Sequence, residues 1–138
     1  MKLPMLFLAV LSVCITSLSQ TPNVTSEQLI DRVLATGAYD GITDKRLSGM
    51  GDAAAMEVTK VLGSKLANGQ TLTTFDIENV LLIFHLAFAG PPLAVNVPDR
   101  EPKASLFVLD SLMFFTTDAL AKKSIGDTKQ FLLNQSRK

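Results

Sequence analysis

Phe75-Asp76-Ile77-Glu78-Asn79-Val80-Leu81-Leu82-Ile83-Phe84-His85-Leu86-Ala87-Phe88-Ala89 decides how this chain folds. Apolar side chains fill nearly every inner position: Ile77, Val80, Leu81, Leu82, Ile83, Phe84, Leu86, Ala87 and Phe88. A helix that is apolar on all sides is a central one, covered from several directions. The segment falls short of the roughly 20 residues a bilayer span needs, so it reads as buried core. Thr73 or Thr74 stands where an N-cap belongs, and Gly90-Pro91-Pro92 stops the helix.

A central helix needs others around it, and the flanking sequence supplies them. Thr25 with Gln28 three residues on makes a capping box, with Val24 and Leu29 at the staple positions. Leu29, Ile30, Val33 and Leu34 then form one apolar face, which Gly37 ends. A second stripe runs through Leu47, Met50, Ala54, Val58, Val61, Leu62 and Leu66, interrupted by Gly49 and Gly51. The interruption predicts a short helix over 43–50 and a longer one over 52–67, capped by Asp52 and ended by Asn68-Gly69. After the proline-punctuated connector 90–102, the spacing predicts a helix over 103–117, with Pro102 at its first turn. Asp118 and Asp127 offer caps for a closing segment that Gly126 is expected to break and that frays over 134–138. The expectation is an all-α domain over 20–138, five or six short helices stacked as antiparallel pairs, in a superhelix or an irregular bundle.

Within that pattern, Leu47-Ser48-Gly49-Met50-Gly51-Asp52-Ala53-Ala54-Ala55-Met56-Glu57-Val58-Thr59-Lys60-Val61-Leu62 resembles the turn and second helix of a HEAT-like repeat. The resemblance implies helix pairs that stack and present a surface to a protein partner. It departs from that pattern at Met56, where an aliphatic valine is common, and in the next helix pair, which has a thirteen-residue Pro-rich connector in place of the Gly-Asp turn.

The chain has 138 residues, 47% of them hydrophobic, and a mean hydropathy of +0.28. Much of that positive value sits at the start, where Lys2 precedes an uncharged apolar run over 5–15. A run of that length suits the h-region of a secretory signal peptide, and Ser17 and Ser19 fit the small positions before a cut. The expectation is a leader over 1–19 and a mature chain from Gln20, with a retained anchor as the alternative. Val13 is too bulky for Cys14 to be read as a lipidated residue. Cys14 is the only cysteine, so a mature chain holds itself together by packing, which suits bacterial export to the periplasm or beyond. The sequons at Asn23 and Asn134 would matter only in a eukaryotic host.

The residues give little catalytic chemistry. His85 is the only histidine, and with no mature cysteine a transition-metal site would rest on carboxylates alone. Neither a Gly-x-Ser-x-Gly elbow nor a Walker loop occurs. Thirteen Lys+Arg balance thirteen Asp+Glu, which gives no electrostatic reason to expect nucleic acid, and no aromatic platform accompanies the C-terminal lysines. No catalytic, cofactor or metal residues are assigned, and no stable membrane insertion is expected once the leader is gone.

Two candidate sites remain. A long connector in a compact helical domain is often kept for binding, which singles out Pro91, Pro92, Asp99, Arg100 and Glu101, together with the exposed face of the 52–67 helix. The leading expectation is therefore a non-enzymatic interaction module with a protein partner. The alternative is a carrier of a small hydrophobic ligand held between Phe84, Phe88, Phe107, Phe114 and Phe115 on the two most apolar helices.

Overall fold

The computed structural model describes residues 24–89 and 101–136. Among them there are six α-helices and no strand: α1 (Ser26–Thr36), α2 (Gly41–Leu47), α3 (Ala54–Ala67), α4 (Thr74–Phe88), α5 (Lys103–Phe115) and α6 (Ala119–Ser136). A 3-10 turn, Gly51–Ala53, leads into α3. The leader lies outside the described residues. No described helix is long and apolar enough to cross a membrane.

The local starts and stops follow from side-chain chemistry. Thr25 Oγ1 accepts from the Gln28 amide at 3.2 Å while Gln28 Oε1 accepts from the Thr25 amide at 3.0 Å, closing the capping box of α1. Gly37 ends that helix at φ 70°, donating to the Val33 carbonyl. A Cβ there would also press within 3.2 Å of Phe75 and Asn79, so the site needs glycine for space as well as conformation. Asp40 caps α2 through the Thr43 amide and hydroxyl, which starts this helix earlier than the apolar spacing indicates.

α4 is the hub. Ile83, Phe84, Val80 and Ala87 are fully buried on it, and α1, α3 and α6 all pack against it. Of the two arrangements the sequence leaves open, these contacts are those of a helical bundle, with several helices packed on a central one. Thr73, rather than Thr74, caps α4, in a reciprocal box with Asp76. Its other end is closed from a distance: Gly49 N–H donates to the Ala87 carbonyl at 3.1 Å and Ser48 Oγ to the Ala89 carbonyl at 3.0 Å. The turn between α2 and α3 thus satisfies carbonyls that a helix end leaves unpaired.

Three expectations are corrected. Asp52 does not cap the helix that follows it; it sits inside the 3-10 turn, and its carboxylate reaches the start of α5. Gly126 neither breaks nor bends the closing segment. α6 runs through it to Ser136, because Ala121, Ile125, Thr128 and Leu132 seat one continuous stripe in the core. That packing outweighs the roughly 1 kcal/mol a helical glycine costs. For the same reason the fraying expected from Asn134 is not seen as far as Ser136.

Candidate docking surface

α5 packs on α3 and α6, in a layer outside the hub. Its inner stripe is Ser105, Val108, Leu109 and Leu112, the i, i+3, i+4, i+7 spacing of one helix face. Phe107 and Phe114, one heptad apart, stand on the other face. They are 73% and 91% exposed, and Phe115 beside them is 53% exposed. Isolated exposed apolar residues are ordinary on a protein surface, whereas three clustered phenylalanines form the kind of patch that marks an interaction site.

Phe107 and Phe115 overhang a groove of about 160 Å³ whose other walls are Leu62, Gly63 and Leu66 of α3 and Leu72 of the following connector. The hydroxyls on its walls are turned inward to their own helices: Thr59 Oγ1 donates to the Ala55 carbonyl at 2.7 Å and Ser111 Oγ to the Phe107 carbonyl at 2.8 Å. The groove therefore offers an occupant almost purely apolar contacts. Gly63 opens its α3 wall, since a Cβ there would meet nothing within 4 Å.

α5 is held rigidly enough to present this face. Asp52 Oδ1 accepts from the amide and hydroxyl of Ser105, both at 2.7 Å, and Oδ2 accepts from the Ala104 amide at 2.8 Å. Midway along, Lys129 of α6 pairs with Asp110 at 2.5 Å. The outward phenylalanines thus project from an anchored helix.

The residues singled out by sequence divide in three. Pro91, Pro92, Asp99 and Arg100 lie outside the described residues. Glu101 is exposed and pairs with Lys103 at 3.2 Å, just before α5. The five phenylalanines do not line one pocket: Phe84 and Phe88 are buried in the core, while Phe107, Phe114 and Phe115 face outward. The physical reason is that α5 turns its aliphatic stripe inward and lies over α3 and α6, leaving its aromatic stripe without a neighbour. Leu62, Gly63, Leu66 and Leu72 were not anticipated as site residues. The heptad spacing of Phe107 and Phe114, offset from the 105/108/109/112 stripe, was the available signal.

Polar chemistry elsewhere is structural in form. His85 Nε2 lies 3.2 Å from Thr128 Oγ1 and its ring packs on Phe131 at 4.4 Å, so it joins α4 to α6; burial lowers its pKa. Burial works against the Asp76 carboxylate, but hydrogen bonds from Lys65 and from Thr73 outweigh it and hold the pKa below the usual value. Glu57 of α3 meets Asp31 of α1 beside a second, polar groove of about 350 Å³ bordered by Lys60, Lys65 and Asn68. Hydrogen bonding between these two carboxyls raises the Glu57 pKa, with burial and the Asp31 charge adding to the effect and Lys60 opposing it. Among the described residues no three His, Cys, Asp or Glu side chains gather as metal ligands would.

Compared with protein-family models, with curated proteins and with solved structures, the chain matches none.

Proposed function

We propose that this chain is an exported, non-enzymatic helical module that docks a protein partner on the outward face of α5 and the adjoining α3–α5 groove. The observation that carries the reading is Phe114, 91% exposed on a well-anchored helix, beside a groove lined by apolar side chains. Aromatic side chains are the usual anchors of protein interfaces. Exposed Thr59, Gly63 and Leu66 extend the site onto the helix that the sequence marks as a candidate surface, with buried Leu62 at their base. Export rests on the leader pattern over 1–19.

The carrier reading has less support. Phe84 and Phe88 are packed into the core, and the apolar groove holds about 160 Å³, against the roughly 300 Å³ at the lower end for ligand pockets.

Site-specific photocross-linking in the producing cell tests the proposal. A cross-linker at position 114 is expected to give discrete protein adducts, while one at exposed Glu27 on α1 gives none. Equal adduct patterns from both positions, or none from 114, would overturn it.

A further inference from the structure

We propose that the polar groove between α1 and α3 is a second binding site, for a small polar amine whose ammonium group is held by the carboxyls of Asp31 and Glu57. It lies apart from the α5 face and does not depend on a partner docking there.

The two grooves use opposite sides of one helix. Glu57, Lys60, Val61 and Ser64 recur at i, i+3, i+4 and i+7 and so share one side of α3, along the polar groove. Thr59, Leu62, Gly63 and Leu66 repeat that spacing two positions on, about 200° round the helix, and line the apolar groove. At about 350 Å³ the polar groove falls at the lower end of the range of small-molecule sites.

One buried polar atom at this groove is left without structural use. The Glu57 side chain is only 9% exposed and borders the groove, yet its Oε1 has no hydrogen-bond partner among the described residues. Lys60 Nζ stands 3.5 Å away, too far for a good hydrogen bond, at the end of a side chain that is 75% exposed. A buried carboxylate oxygen without a donor is costly, whereas a loose pair with an exposed lysine returns little. Lys60 therefore covers Oε1 without satisfying it, and swings into solvent at little cost. Asp31 brings a second carboxyl from α1, and its hydrogen bond and charge, with burial, make Glu57 harder to ionise. The other basic residue at the groove, Lys65, is already committed to Asp76 of α4 at 2.5 Å. The pair of carboxyls thus lacks a cation seated between them.

The donor set selects the ligand. An ammonium group carries three N–H donors and no acceptor. The groove offers it Glu57 Oε1, an Asp31 oxygen and the side-chain oxygens of Ser64 and Asn68. Calcium asks for six to eight oxygens, and among the described residues no third His, Cys, Asp or Glu joins the pair. Ser64, Asn68 and Gln70 are exposed on the groove and give neutral hydrogen-bonding groups to the rest of the molecule, which favours a polar tail over an apolar one. A bound ammonium would take the place of Lys60 on Oε1 and offset the repulsion between the two carboxyls.

Ethanolamine is the probe, titrated at constant ionic strength into the protein expressed as the full chain and purified as its host leaves it, while amide NMR spectra are recorded. Saturable shifts are expected around Asp31, Glu57 and Ser64 and none along α5. Asp31→Asn, which alters an exposed side chain, and Glu57→Gln should each weaken binding at least about tenfold while leaving the helical circular dichroism intact. Lys60→Ala should instead strengthen it about two- to fivefold, since it removes the competitor for Oε1. Lys122→Ala, the same change of charge at an exposed site on α6, should leave it unaltered. Acidification should weaken binding, because a carboxyl whose pKa is raised takes up its proton earlier than an ordinary one. The absence of saturable shifts at millimolar ethanolamine overturns the proposal. So does an equal response to ethylene glycol, which keeps a hydroxyl but lacks the ammonium, or to calcium chloride, and so does an affinity indifferent to both carboxyl variants.

Discussion

Asp52 and Ser105 are 53 positions apart in the chain, yet the Asp52 carboxylate accepts both the Ser105 amide and its hydroxyl at 2.7 Å. Pro102 begins α5 without any side-chain cap of its own, so its first amides are satisfied across space by a residue from the turn before α3. This carboxylate anchors the first turn of α5, while the buried stripe of Val108, Leu109 and Leu112 and the Lys129–Asp110 pair hold the rest of the helix.

Asp52→Ala is expected to cost about 1–2 kcal/mol, the usual worth of a helix cap, and Asp52→Asn less. Urea denaturation of both variants checks this. A cost below about 0.3 kcal/mol for the alanine variant would mean that α5 is held by its aliphatic stripe alone.

Nothing near Asp52 in the sequence points to this role. An aspartate just before a helical run reads as that run's own cap, because capping signals are local and contacts across 53 positions are not. Where the determinants are local, the sequence is readable. Thr25, Gln28 and Gly37 bound α1 as their chemistry indicates, and the unbroken apolar run of α4 foretells a central helix. Gly126 misleads because propensity is a weak local cost, which a buried stripe on either side overrides. The docking surface was only half legible. Its phenylalanines stand out in the sequence, but whether they point to core or solvent depends on which helices α5 touches, and no local pattern encodes that.

Asp76 is buried, belongs to the α4 capping box and pairs with Lys65. Its folded pKa is below the unfolded value, so the stability it contributes is present above about pH 4 and is lost as pH falls through the folded value. Asp76→Ala should cost about 2–4 kcal/mol at neutral pH and reduce the loss of stability on acidification. Denaturation at pH 7 and pH 3 measures both effects.

Glu57 has the opposite sign. Its folded pKa is raised, so its contribution is fully present below the unfolded value of 4.5 and is lost as pH rises through the folded value. Glu57→Gln keeps a donor for Asp31 without the second charge, and should stabilise the protein by about 1 kcal/mol at pH 7. The advantage should shrink towards pH 4; an advantage that grew on acidification would contradict a raised Glu57 pKa.

The phenylalanines should separate into two classes on truncation. Phe84→Ala empties a fully buried site in the hub and should cost about 3–5 kcal/mol. Phe114→Ala should fall within about 0.5 kcal/mol of wild type when measured on the monomer, since its ring packs against almost nothing within the chain.

The account's central claim is that the outward face of α5 serves binding and leaves folding to the core. Photocross-linking from position 115, combined with Phe107→Ser and Phe114→Ser in one chain, tests it most directly, provided thermal unfolding of the same protein is recorded alongside. The account predicts an unfolding midpoint close to wild type for the isolated monomer and loss of the adducts. A collapse of the midpoint, or adducts that persist unchanged, would contradict it.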